Sequence, residues 1–166
     1  MNIVKFPNDI LRQKISEFDF TNTNIDPEKL EQDMIKLMLA NDGMGLAANQ
    51  VGLNVRMFVM GHSKMPEQAQ AFYNPMVLAS TDLILDLEEG CLSFPGIYVN
   101  IKRPTKILAR WQSSKGEWQE AEFSGYDCKC FLHELDHLEG IVFKDRVSVI
   151  KWATAIKKST KRKHKV

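Results

Sequence analysis

The sequence predicts an α+β fold in which antiparallel β-sheets pack around a central helix carrying an HExxH pattern, with a further helix at the C-terminal end. Two observations lead there. Strand-like segments follow one another from about residue 45 to 123 without regular helical interruption, and helical periodicity flanks that stretch on both sides. A third sets the scale: 166 residues suffice for one hydrophobic core, and there is no internal repeat, low-complexity stretch or linker to divide it.

The first helix begins at Asp26-Pro27, with Asp as N-cap and Pro at the first helical position. Leu30, Met34, Leu37 and Met38 then recur at helical spacing until Asn41-Asp42-Gly43 ends the element. Strand patterns follow at Arg56–Met60, Tyr73–Ala79 and Leu83–Leu87. Two more, Thr105–Gln112 and Trp118–Phe123, flank the turn Ser113-Ser114-Lys115-Gly116. A second helix is expected from about Gly125 to Glu139, stopped near Gly140, and a third from Ser148 to about Lys161. Residues 1–156 read as a single domain and residues 157–166 as a basic tail.

Composition narrows the function classes. At 44% hydrophobic and 26% charged the chain is an ordinary globular one, and no apolar run approaches the roughly 18–20 residues of a membrane span. MNIVKFPNDI lacks the charged start and apolar stretch of a secretory signal. Three cysteines, Cys91, Cys128 and Cys130, are too few for a disulfide scaffold and odd in number, so reduced thiols and a cytoplasmic protein are expected. Net charge is +1, but residues 157–166 hold six of the 22 Lys and Arg and no acid, so the remaining 16 stand against all 21 Asp and Glu. A basic tail on an acidic body points either to an anionic partner such as RNA or to a solvated terminus.

The sharpest local feature is His133-Glu134-Leu135-Asp136-His137 within the second helix. Side chains four apart lie on one helical face, so two imidazoles can close on one metal ion with Glu134 beside them to handle protons. A catalytic site of this kind needs a third protein ligand. Cys130 shares the stripe but lies seven residues from His137, roughly 10 Å along a helix axis, so it is better placed to line a pocket than to bind. A metzincin's third His after the helix is missing, since Gly140 leads into Ile141-Val142-Phe143. Cys91, in Glu89-Gly90-Cys91-Leu92-Ser93, is then either the third ligand or a buried structural cysteine.

Three blocks taken together narrow the reading. Gly43-Met44-Gly45-Leu46-Ala47-Ala48-Asn49-Gln50, then Glu89-Gly90-Cys91-Leu92-Ser93, then His133-Glu134-Leu135-Asp136-His137-Leu138-Glu139-Gly140 resemble the three motifs of peptide deformylases in order and separation. The resemblance extends over most of the chain, and the lack of a long insertion together with the basic C-terminal helix is similar to the bacterial-type branch. It implies a hydrolase that removes the N-formyl group from the formylmethionine of nascent polypeptides and releases formate. It further implies Cys91, His133 and His137 as metal ligands, Glu134 as general acid/base, and the Gln50 amide with the Leu92 N–H as donors to the oxyanion. Gly43, Met44, Gly45 and Gly90 would hold the substrate backbone, Tyr126 and Cys130 the methionine side chain, and Tyr98 the rim. The family's usual ion is Fe(II), with zinc, nickel or cobalt as substitutes; in its bacterial-type members the C-terminal helix can dock on the ribosome, and a monomer in a cytosol or an organelle interior is expected.

The chain departs from the family where Leu132 replaces a common Gln before the first His, where Tyr98 stands at a position basic in some relatives, and where Lys129 occurs on the metal helix. Glu89 and Arg103 are expected to pair and brace the cysteine loop. Other readings are an HExxH zinc endopeptidase, a formyl-peptide or ribosome-binding protein without catalysis, and a structural metal site. The first needs neither Gln50 nor Cys91, the second would not need every catalytic position kept, and the third would not need Glu134.

Overall fold

The computed structural model describes residues 1–21 and 24–163, the last three of these as backbone only. Among them, helix α1 covers Pro27–Ala40, α2 Gly125–Leu138 and α3 Val149–Lys163. The strands are β1 Gly45–Ala47, β2 Met57–His62, β3 Met65–Ser80, β4 Ile84–Cys91, β5 Phe94–Pro104, β6 Lys106–Gln112 and β7 Trp118–Ser124. They form two antiparallel sheets, one of five strands in the order β1-β2-β3-β6-β7 and a separate hairpin of β4 and β5. No helix among the described residues is long and apolar enough to cross a membrane.

Each helix has a local cause. The Asp26 side chain accepts the Lys29 N–H at 3.0 Å, Pro27 opens α1, and Leu30, Met34 and Met38 are its buried face. These side chains pack with Leu46, Met57, Val59, Ala71 and Tyr73 on one side of the larger sheet. On the other side Phe131 of α2 meets Phe58 edge-on at 5.1 Å and Phe123 at 5.2 Å, with Phe72 and Trp111 behind them. Rings at such distances contribute beyond the area they bury. The helix is thereby clamped to the sheet along its back while its front faces the hairpin.

The expected strands are all present, with shifted ends. The segment expected at Tyr73–Ala79 is the second half of a 16-residue strand, β3, whose register slips between Tyr73 and Met76 and again between Val77 and Ala79. Asn74 takes a positive φ of 47° there, and its side chain bonds Phe18 N at 2.7 Å and Phe18 O at 2.9 Å. Strands β1 and β5 were not among the expected ones. β1 is three residues long, too short to show alternation, and β5 contains Pro95, Gly96 and Pro104, which obscure its pattern. The third helix starts at Val149 and runs to Lys163, so it passes residue 156 unbroken, and the basic tail is set apart by charge rather than by a break in the helix. Residues 164–166 of that tail lie outside the described ones.

Gly140 ends α2 with φ +72°, and a Cβ built there would lie 2.5 Å from the Arg12 carbonyl oxygen. The N-terminal segment passes too close for a side chain, tied down by the Ile15 N–H to Leu138 O bond of 2.8 Å. Gly140→Ala is therefore expected to cost at least about 1–3 kcal/mol from backbone strain, with the displaced segment adding to it. Urea unfolding midpoints of the two proteins measure it; equal midpoints would contradict the close approach.

Candidate metal centre

Two elements converge on one point. Helix α2 presents His133 and His137 one turn apart, and the hairpin presents Cys91 where its register slips between Gly90 and Cys91. The donor atoms of Cys91, His133 and His137 all lie within 4.8 Å of one another, and Cys91 Sγ is 3.3 Å from His137 Nε2. Both histidines are buried and Cys91 is half-buried. One thiol and two imidazoles at this spacing fit a divalent transition metal.

Orientation of the ligands comes from their outer contacts. His133 Nδ1 lies 2.8 Å from Glu89 Oε2, which leaves Nε2 for an ion. Burial first, and then the neighbouring His133, push the His137 pKa well below its usual value and keep the ring neutral, the form that binds metals. Its backbone carbonyl accepts from Asn49 Nδ2 at 2.6 Å, so the first sequence block holds the metal helix directly. Burial alone would raise the Glu89 carboxyl, but hydrogen bonds from His133 and Arg103 overturn that and hold it at about 2. Glu89 is thus an anion, and it shares Arg103 with Asp136: Arg103 Nε donates to Glu89 at 2.7 Å and Nη1 to Asp136 at 2.8 Å. Arg146 also pairs with Asp136.

The catalytic candidates surround this group. Glu134 is buried, its Oε2 has no hydrogen-bond partner among the described residues, and burial lifts its carboxyl to about 7. A proton can then be taken and returned near neutral pH. Gln50 is fixed at both ends: Oε1 accepts the Ala47 N–H at 2.9 Å, and Nε2 donates to Ser93 Oγ at 3.1 Å beside Cys91 Sγ at 3.5 Å. Its amide nitrogen is therefore held beside the Cys91 thiol. Gly45 explains why β1 must come close: a Cβ there would fall 2.4 Å from Glu134 Oε1.

A cleft of about 570 Å³ opens over the group. Gly43, Met44, Gly45, Gly90, Leu92, Tyr98 and Cys130 all line it, so the expected substrate-contact positions are gathered there with one exception. Tyr126 is 59% exposed and lies outside the cleft; one turn further along its stripe than Cys130, the helix has already passed the cleft wall. Its ring instead carries the Lys129 ammonium at 4.5 Å. Lys129 does line the cleft, with Nζ donating to Glu88 O at 2.9 Å. Leu132 is partly buried against the core, its carbonyl accepting from Arg103 Nη1 at 3.4 Å.

Several site residues escape sequence reasoning. Asn49 and Ser93 sit inside the quoted blocks, but nothing in their spacing tells which neighbour they hold. Asp136 reads as the variable residue of HExxH, although it is the second acid on Arg103. The N-terminal segment stitches two of the blocks together: Val4 N–H donates to Gln50 O at 2.7 Å, Phe6 N–H to Ser93 O at 3.0 Å, and Lys5 Nζ to Leu92 O at 2.7 Å.

Comparison with known proteins agrees with this geometry. The model of the family Polypeptide deformylase matches residues 1–152. The chain is 36% identical to a peptide deformylase of Zymomonas mobilis over 96% of its own length and 92% of that protein's. It is 40% identical to one of Thermotoga petrophila over 88% and 86% of the two chains. Against the chloroplastic peptide deformylase 1B of Oryza sativa it is 36% identical, but spans only 55% of that longer protein. Among solved structures, the Thermotoga maritima peptide deformylase superposes with a TM-score of 0.81 at 38% identity, covering 89% of this chain and 97% of that one. The Legionella pneumophila enzyme gives 0.87 at 29% identity, covering 98% and 95%.

Two substitutions probe the centre. Gly45→Ala, which forces Glu134 aside, is expected to lower kcat by about 100-fold while metal content and thermal stability stay near wild type. Retained turnover would show that Glu134 has room to move. Arg103→Ala leaves Glu89 and Asp136 without their shared partner, and is expected to destabilise the fold by about 3–5 kcal/mol and to weaken metal binding roughly 10–100-fold. Unchanged metal affinity in a chelator competition would remove Arg103 from the brace.

Proposed function

The chain belongs to the peptide deformylase family of metal-dependent enzymes, and we propose that it removes the formyl group from the N-terminal formylmethionine of nascent polypeptides through these named residues. The observation that carries the reading is the convergence of Cys91, His133 and His137 within 4.8 Å beside a Glu134 oxygen that has no hydrogen-bond partner among the described residues. Those three side chains would hold one divalent ion, for which the thiolate–imidazole set suits Fe(II), with zinc, nickel or cobalt as substitutes. Bound there, the ion supplies a Lewis acid that makes water acidic enough to lose a proton near neutral pH.

The chain's own groups account for the rest. Glu134 accepts the proton of the attacking water, and its raised pKa lets it pass that proton to the departing amine. The Gln50 Nε2 and the Leu92 N–H donate to the oxygen that gains charge as water adds to the formyl carbon. Ser93 and Ala47 hold the Gln50 amide so that it need not reorient during the step. Met44 and Gly45 on one rim and Gly90 on the other take the peptide between them as an added strand, with Gly43 at its end. Cys130 offers an uncharged wall for the methionine side chain, since burial drives its thiol pKa well up. Tyr98 stands at the rim.

Beyond the reaction, residues 1–156 form the catalytic unit and residues 157–166 an anion-seeking tail. With bacterial and chloroplastic relatives, a cytosolic or organellar monomer working on emerging chains is the setting proposed, the tail touching ribosomal RNA. Nothing in the cleft chemistry requires a second subunit.

Formate release from formyl-Met-Ala-Ser by anaerobically prepared Fe(II) protein tests the reaction. Wild type should turn over. Glu134→Ala should lose about 100- to 10,000-fold in kcat with its metal retained, and chelation should abolish release until metal is restored. Absence of release from folded, metal-loaded protein would refute the assignment. For the tail, changing Lys161, Arg162, Lys163 and Lys165 to Gln should reduce co-sedimentation with ribosomes, and steeply so as salt rises; unchanged co-sedimentation would end that proposal.

A further inference from the structure

A second cavity of about 380 Å³ lies beside the cleft, and the two share Gly96 and Tyr98 as a common wall. None of the metal ligands or catalytic candidates lines it. One wall is the exposed face of the β4–β5 hairpin. In that ladder Gly90 is paired with Tyr98 and Glu88 with Asn100, while Asp86 follows two residues further on. Side chains two apart share a face, so Gly90, Glu88 and Asp86 form one row leading away from Cys91. The intervening Glu89 points the other way, into the brace. The opposite wall is α3, which contributes Lys151, Thr154 and Lys158 at helical spacing.

We propose that this groove binds the downstream part of the substrate peptide, from about its fourth residue onward. The proposal rests on the deformylase reading and extends it. A nascent chain is far longer than the few residues the cleft holds, and the groove adjoins the cleft at Gly96 and Tyr98, where the remainder would emerge. A peptide laid strand-like beside Gly90 that continues along the hairpin passes Tyr98 and then lies over Glu88 and Asp86. Gly90 to Asp86 is four residues, roughly 13 Å at strand rise, enough for about four residues of extended peptide.

The walls carry opposite charges, acids on the hairpin and lysines on α3, with Lys151 Nζ 3.8 Å from Asp86. Thr154 and Asn100 add uncharged hydrogen-bonding groups. A groove of this kind offers a partner to either sign of side chain and excludes neither. It therefore suits an occupant whose sequence differs from one protein to the next, and selects for an extended backbone rather than for a motif.

The experiment compares kcat/KM for formyl-Met-Ala-Ser with that for an octapeptide starting with the same three residues and continuing in polar ones. In wild type the octapeptide is expected to be favoured about 5- to 10-fold, mainly through KM. Thr154→Trp, which fills the groove, should bring the ratio to about one. Lys158→Glu, which alters one wall without filling it, should lower the ratio for acidic octapeptides and raise it for basic ones. Equal values for both peptides in wild type would overturn the groove, as would an octapeptide advantage that persists unchanged in both variants. Failure to release formate from either peptide would instead refute the deformylase assignment and the groove with it.

Discussion

The structure depends on one buried cation. Arg103 is 6% exposed and lies between two acids that belong to different elements, Glu89 on the hairpin and Asp136 on the metal helix. Burying any one of these charges alone would be costly, and burying them together is tolerable because each finds partners. The arrangement also carries position. Glu89 is two residues from Cys91 and bonds His133, while Asp136 is next to His137. Arg103 therefore fixes, through two carboxylates, the relation among three donor atoms drawn from segments more than forty residues apart. Desolvation pushes the Glu89 carboxyl up; the imidazole and the guanidinium outweigh it and keep Glu89 anionic, and that anion in turn orients the ring.

The same economy holds on the other side of the site. β1 is only three residues long, yet it supplies the backbone against which Glu134 lies and leads into the short 3-10 turn that holds Asn49 and Gln50. The missing side chain at Gly45 gives Glu134 its place, and Asn49 reaches the carbonyl of His137. Three stretches that look independent in the sequence are cross-tied by hydrogen bonds within a few ångströms. The N-terminal residues close the ring from outside.

Much of this was legible beforehand, for identifiable reasons. The first helix follows from Asp26, Pro27 and a four-residue apolar spacing, all of them local signals. His133 and His137 follow from helical geometry, because spacing within one element maps directly onto space. Cys91 does not: spacing left it between ligand and structural cysteine, and only its company in a recognisable block assigned it. The Glu89–Arg103 pair was legible from charge and spacing alone, but Asp136 was not, since its partnership needs the docking of helix on hairpin. Tyr126 is a different case: helical spacing puts it on one stripe with Cys130, but a stripe says nothing about where the cleft wall ends. β5 was hidden because its prolines and glycine break the alternation that the ladder nonetheless tolerates at a two-stranded sheet's edge.

The aromatic cluster behind α2 has a consequence for how the enzyme fails. Phe131 stands on the same helix as both histidines and Glu134, and it is locked among Phe58, Phe72 and Phe123, which are core residues of the larger sheet. Those imidazoles cannot drift apart unless that core opens. A site carried on a mobile loop would lose function well before the protein melted. Heat should therefore leave the two imidazoles and Glu134 in register until that core opens, and the hairpin that carries Cys91, a separate two-stranded sheet, is the part of the site that can give way first.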